Sequence, residues 1–304
     1  MYSYTLMQWL FFFYFYCFFG WCFESSYVSL KKRKPVNRGF MKGPFLPLYG
    51  SGAIMMLVVS KPFLGHWWAV YIAGCIGATV LEYVTGVVME ALFKVRYWDY
   101  SNQPFNFQGQ ICLSSTLAWG GLTLLMNYVI HKPVESLVLG IPADVLTVVT
   151  VLLTIYIACD FTLSFKEALD LRDILVRMEK AKEDMLRLQK RLDVLVAVTG
   201  EEWNAKKEAF SEKFHMDEIK AGIESRLSAM KELLLKKPEE YSQDTREELL
   251  DLHAQYKINA EKEEYAGHRR TFYRRIRNNP SMSSRRYKDA LEELKRKAAE
   301  KRKK

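Results

Sequence analysis

Five acids sit in places that are costly for charge. Glu24, Glu82, Glu90 and Asp160 lie within or at the end of long apolar runs, and Asp99 follows one directly in Trp98-Asp99-Tyr100. A carboxylate at membrane depth costs at least a few kcal/mol, so it faces a partner, a cavity or a proton path. Arg38 and Arg96 lie at similar depth and are natural counter-charges. The chemistry open to such a set is ion pairing, proton transfer, or binding of a cation or polar substrate. In the third run Gly74, Ala78, Glu82, Gly86 and Glu90 recur at every fourth residue. On a helix that spacing makes one slowly drifting ridge, whose small residues let another helix come close. Two readings follow: a packing face whose acids are neutralised by Arg38 or Arg96, or a polar pocket or ion path.

The elements that must position these acids are the apolar runs near 4–29, 44–61, 66–93, 110–130 and 136–163. Bilayer hydrocarbon is about 30 Å thick and a helix rises about 1.5 Å per residue, so runs near 20 residues can span it. The expectation is an all-α, polytopic membrane protein with five transmembrane helices in residues 1–165. The first run has neither a basic leader nor a small-residue cleavage site, so it reads as a retained helix. Basic residues cluster in loop one (Lys31, Lys32, Arg33, Lys34, Arg38, Lys42), loop three (Lys94, Arg96) and after run five (Lys166, Arg172). By the positive-inside tendency these face the cytoplasm, which puts the N-terminus outside, the C-terminus inside, and the acids toward the inner leaflet of a cell membrane.

Two loops at that level carry unusual backbone. Asn37-Arg38-Gly39-Phe40 and Gly43-Pro44-Phe45-Leu46-Pro47-Leu48-Tyr49-Gly50 precede a short second run. Irregular backbone at membrane depth is tolerated where protein or water satisfies it, so this segment lines a cavity entrance or is an ordinary loop before a kinked helix. The stretch 98–110, which includes Asn106, is too polar to span and is placed beside that entrance. The candidate substrate or ion cavity is therefore Glu24, Asn37, Arg38, Tyr49, Glu82, Glu90, Arg96, Asp99 and Asn106.

These segments also resemble a known family. The likeness runs through Gly20-Trp21 and Glu24, Asn37-Arg38-Gly39-Phe40, Gly43-Pro44, Pro47, Tyr49-Gly50, Leu81-Glu82-Tyr83, Gly86, Glu90, Trp98-Asp99-Tyr100-Ser101, Asn106, Gly109 and Trp119-Gly120. It covers residues 1–165 and is similar to the bacterial putative ABC-transporter permease family, type IV or CmpB-type. The stretch Arg274 to Lys295 also looks similar to tails in that family. The resemblance implies transport with a separate ATPase subunit. The chain has no Gly-x-x-x-x-Gly-Lys-Ser/Thr loop of its own, no His-Glu-x-x-His and no Gly-x-Ser-x-Gly. No catalytic residue, cofactor or metal site is assigned, and the five cysteines read as small buried hydrophobes. The other function classes compatible with inner-leaflet acids are an intramembrane enzyme acting on a lipid or lipid-linked substrate, with Arg38 holding a phosphate, and a membrane adaptor.

After Phe165 the composition reverses. Leu171, Ile174, Met178, Ala181, Met185, Leu188, Leu192 and Leu195 alternate spacings of three and four, a heptad seam open to self-association through 171–195. Thr199-Gly200 interrupts it. A second seam holds Met216, Ile219, Ile223, Met230 and Leu233, Lys237-Pro238 stops it, and a third helix is expected near 245–265. Residues 166–265 thus read as a cytoplasmic helical coiled-coil arm, and 266–304 as a basic tail with fifteen Lys/Arg against four Asp/Glu in a chain of net charge +9. Such a tail suits anionic headgroups or a solvated state. No nucleic-acid fold signature accompanies it.

Overall fold

The computed structural model describes residues 4–198, 220–225, 227–228, 231, 243–267 and 270–300. Thr199-Gly200, Met216, Ile219, Met230, Leu233 and Lys237-Pro238 lie outside them, as does the side chain of Leu195. The described residues are about 79% helical, with almost no strand among them. It divides into two compact units: Met1–Asp170 with Arg274–Ser284, and Leu171–Tyr273 with Arg285–Lys304.

In the first unit, α1 (Leu6–Lys32) starts at a capping box. Thr5 Oγ1 accepts from Gln8 N at 3.3 Å, and Gln8 Oε1 accepts from Thr5 N at 2.8 Å, which satisfies two otherwise orphaned donors. The helix ends where Arg33 turns left-handed, two residues before Pro35. Pro44 and Pro47 delay the next helix, so the run expected from 44 becomes helical only as α2 (Pro47–Ser60), with proline in its first turn. α3 (Trp67–Phe93) follows. A two-stranded hairpin, β1 (Asn106–Phe107) and β2 (Ile111–Cys112), leads into α4 (Leu113–Leu125). One π turn at Met126–Ile130 joins α4 to α5 (His131–Leu139), and α6 (Ala143–Val198) is a single 56-residue helix.

Four helices are long and apolar enough to cross a membrane: Leu6–Lys32, Trp67–Phe93, Leu113–Leu139 and a stretch within Ala143–Val194. α2, at 14 residues, is shorter; it packs against both α1 and α3. The core joins Phe12 and Tyr16 of α1, Ala53, Met56 and Leu57 of α2, Ala78 of α3, Met126, Val134 and Val138 of the α4–α5 rod, and Leu146 of α6. The α3 ridge packs against α4 at Gly74 and Glu82, and against Gln110 and Trp98 at Gly86. A Cβ on Gly74 would fall 2.2 Å from Thr123 Oγ1, so only glycine permits this approach.

In the second unit the seam residues Leu171, Ile174, Met178, Ala181, Met185, Leu188 and Leu192 are all buried. Met185, Leu188 and Leu192 share one cluster with Ile223 and Leu227, and with Leu249, Leu252 and Tyr256 of α7 (Gln243–Gly267). α8 (Arg270–Asn278) crosses from this unit into the first, and α9 (Lys288–Glu300) returns to the second. There Lys182 pairs with Asp289.

Candidate functional site

Loop 33–46, the stretch 94–112, the Asp160–Glu167 segment of α6 and residues 274–284 meet at one end of the first unit. They carry Asn37, Arg38, Arg96, Asp99 and Asn106, while Glu24, Tyr49, Glu82 and Glu90 reach them from α1, α2 and α3. Glu24, near the end of α1, accepts from Tyr49 Oη of α2 at 2.8 Å and faces Arg38 Nε at 3.5 Å. Asn37 joins loop to helix. Its Oδ1 accepts from Trp21 Nε1 at 2.6 Å, and its Nδ2 donates to Lys42 O at 2.8 Å. Asp160 is buried and takes the backbone N–H of Gly43 at 2.8 Å and of Lys42 at 3.2 Å. Those two bonds satisfy donors that the irregular Gly43-Pro44 segment would otherwise leave open.

Glu82 and Glu90 face the same helix α4 and its hairpin, in different company. Glu82 is 5% exposed. It accepts from Tyr100 Oη at 3.0 Å, from Trp119 Nε1 at 2.9 Å and from Ser115 Oγ at 3.4 Å, all neutral donors. Glu90 instead pairs with Arg96 Nη2 at 2.8 Å and accepts from Gln110 Nε2 at 2.6 Å. Arg96 is 3% exposed, and its Nη1 lies 3.6 Å from Asp99 Oδ1. Neither Arg96 Nε nor Nη1 makes a hydrogen bond among the described residues. Asn106 stands at the hairpin and holds it: Nδ2 donates to Gln103 O at 2.8 Å, and Oδ1 accepts from Gly109 N at 3.1 Å. Gly109 has φ +68°, and a Cβ there would meet Ser101, Arg96 and Asp99, so this turn needs glycine.

The loop groups titrate away from their ordinary values for identifiable reasons. Burial, then the charge of Glu82 and the hydrogen bond to it, then more distantly Cys112 and Glu24, push the Tyr100 phenol up. Burial pushes Tyr97 up against the opposing pull of Arg275 and Arg38. For Asp99 burial pushes up as well, but bonds from Ser101 and Ser283 and the nearby Arg96 outweigh it, and its carboxyl is lowered.

The candidate residues thus share one end of the unit as two linked groups: Glu24, Tyr49, Asn37 and Arg38, and Glu82, Glu90, Arg96, Asp99 and Asn106. Sequence reasoning did not supply the donors to Glu82, because Ser115 and Trp119 look like ordinary α4 residues. It also did not supply Arg275, Asn279, Ser281 and Ser283, which lie about the same loops. Their one signal was the likeness of 274–295 to family tails. At the other end of the unit, buried His131 bonds to Tyr16 Oη at 2.7 Å and Tyr4 Oη at 3.0 Å, and Tyr4 bonds to Glu135. No group of three or more His, Cys, Asp or Glu with metal-binding geometry occurs among the described residues.

Four helices long and apolar enough to cross a membrane fit a membrane protein of transporter-like type. The chain belongs to the family described as Putative ABC-transporter type IV, whose model matches residues 11–165. That span includes every candidate residue. No curated protein and no solved structure matches the chain.

Proposed function

We propose that the chain is the membrane subunit of a transporter and that Glu82 is its working carboxylate. The observation that carries this reading is the company Glu82 keeps. It is a buried carboxylate whose described partners are all neutral, on a helix apolar enough to span a membrane, whereas Glu24, Glu90 and Asp99 each have an arginine within 3.6 Å. Such a group can take up a proton or a cation, or a substrate's polar group, with less opposition than an ion-paired acid. Tyr100 and Trp119 would orient it. Glu24 with Tyr49, and Asn37 with Arg38, form the neighbouring wall; Glu90, Arg96, Asp99 and Asn106 hold the hairpin over it.

In this reading α2 is a fifth crossing, completed by the turn at 61–63. The basic loops place the acidic end in the cytoplasm, the N-terminus outside and residues 166–265 as a cytoplasmic coiled-coil arm. A separate ATPase supplies the energy, since the chain carries no P-loop. Contact with anionic lipid falls to basic residues of 266–304 other than Arg274 and Arg275. Arg274 pairs with Glu167 at 2.8 Å, and Arg275 is buried.

The test is purification of the full-length protein from native membranes with its nucleotide-hydrolysing partner, followed by reconstitution. A stoichiometric P-loop ATPase and vesicle uptake that needs ATP are expected. Glu82→Gln should keep the complex assembled and abolish uptake. Normal uptake by an assembled Glu82→Gln complex would remove Glu82 from the mechanism. Absence of any ATPase in the purified assembly would remove the transporter reading.

A further inference from the structure

We infer that residues 274–284 form a reversible strap that closes the acidic end of the membrane unit. The segment belongs to the first unit although it follows α6 by some 75 residues of chain. It is threaded through the very loops that hold the candidate site. Arg275 donates to Tyr97 Oη at 2.6 Å and to Ser164 O, and its guanidinium lies 4.7 Å over the Phe40 ring. Asn279 donates to Gly39 O at 3.1 Å and accepts from Arg38 Nη1 at 3.0 Å. Ser281 Oγ accepts from Arg38 Nη2 at 2.9 Å. Ser283 exchanges both backbone bonds with Arg96, at 2.8 and 3.0 Å, and its hydroxyl donates to Asp99 at 2.7 Å. The strap therefore grips both loops that contribute to the site: 37–39 and 94–99.

Two features mark this closure as made to open. First, it is held mainly by polar bonds. Among the described clusters that join α1 to α6, none includes a strap residue, although Ile276 and Met282 are buried. Water replaces hydrogen bonds at small net cost, whereas it cannot replace apolar packing. Second, the closed state leaves donors unsatisfied. Arg96 Nε, Arg96 Nη1 and Arg275 Nε are buried with no hydrogen-bond partner among the described residues. Opening lets water reach them, so part of what is lost on release is recovered. Both ends of the strap continue into the second unit, at residues 270–273 and at α9, where Ala290, Leu291 and Leu294 are buried. Withdrawal removes two of the oxygens around Arg38 and the backbone partner of Arg96, and so frees the 94–101 loop that carries Tyr100 to Glu82.

The experiment uses the full-length protein in lipid nanodiscs, with hydrogen exchange and an arginine-selective dicarbonyl reagent read by mass spectrometry. The amides of Arg96 and Ser283 should exchange together, roughly tenfold or more faster than those in the middle of α3, because a local opening needs less free energy than unfolding the core. In Asn279→Ala/Ser281→Ala, modification of Arg38 should rise several-fold, while exchange in α3 and α6 stays as in the wild type. Ser283→Ala keeps the backbone bridge and should give a smaller rise in the same sense, so the idea stays testable if the double variant folds poorly. Arg96 and Ser283 amides that exchange as slowly as the α3 core, or an Arg38 reactivity that rises only together with α3 exchange, would show a permanent brace and overturn the strap.

Discussion

Glu82 and Glu90 are the same residue type on the same helix, two turns apart, and they have been put to different uses. Glu90 is one half of a charge pair with Arg96 and is 26% exposed at its side chain, so its charge is compensated twice, by the guanidinium and by water. Glu82 is nearly sealed and meets hydroxyl and indole donors instead. The first arrangement buys rigidity of the hairpin. The second leaves a group whose charge state can change without stranding a buried cation. Position along α3 decides which: two turns separate the interior of the α3–α4 contact from the loop that carries Arg96.

The largest expected effect separates these two acids. Glu90→Gln leaves Arg96, 2% exposed at its side chain, with only Asp99 at 3.6 Å. Loss of a partner from a buried ion should cost about 3 kcal/mol, read by unfolding in mixed detergent micelles. The double variant Glu90→Gln/Arg96→Met should recover part of that loss, because the stranded charge is gone. A double variant no better than Glu90→Gln alone would show that the pair does not act through charge.

A smaller loss is expected from Arg275→Gln, which removes the bonds to Tyr97 and Ser164 O and the contact with Phe40. About 1–2 kcal/mol is expected, since a buried Tyr97 hydroxyl loses a donor but the variant also relieves the unsatisfied Arg275 Nε. Equal stability to the wild type would mean that the docked strap contributes nothing net.

Glu82→Gln should change stability by less than about 1 kcal/mol, because the amide can satisfy the same partners. Its oxygen can take the Trp119 N–H, and its NH2 can donate to Tyr100 Oη with that hydroxyl turned. Glu82→Leu should be clearly worse, since the Trp119 N–H then loses its acceptor. If Gln and Leu destabilise equally, the hydrogen bonds are not what holds this carboxylate.

The smallest effect is one of pH. The Asp99 carboxyl is lowered in the folded protein, so its bonds to Ser101 and Ser283 contribute stability above the ordinary aspartate range. That contribution is lost as the pH falls below that range and through the lowered value. Hydrogen exchange at Ser283 should therefore quicken on acidification in the wild type and should be nearly insensitive to that step in Asp99→Asn.

Much of this was legible before any coordinates. Apolar length led to an expectation of five spanning helices, of which four are long and apolar enough to cross a membrane; the fourfold spacing of Gly74, Ala78, Glu82 and Gly86 marked a close-packing ridge, and the ordered motifs pointed to the family. Depth along each run put the acids toward one end of the runs, because a helix converts residue number directly into height. Arg38 and Arg96 were named as counter-charges on the same basis.

What sequence periodicity could not decide was which acid meets which partner. That depends on rotation about the helix axis and on chain segments far apart, and neither is encoded in local spacing. Ser115 and Trp119 reach Glu82 only because Gly74 and Gly120 let α3 and α4 approach. The strap is the plainest case. Arg38 and Asn279 are 241 residues apart, and composition alone describes 266–304 as one basic tail. Local patterning determined the helices, their apolar faces and the level of the charges, since these follow from the chain's own repeat and the cost of burying charge. Only the tertiary structure divided that tail between two units and set Glu82 apart from Glu90, because hydrogen bonds are directional and short, and their partners are chosen by packing.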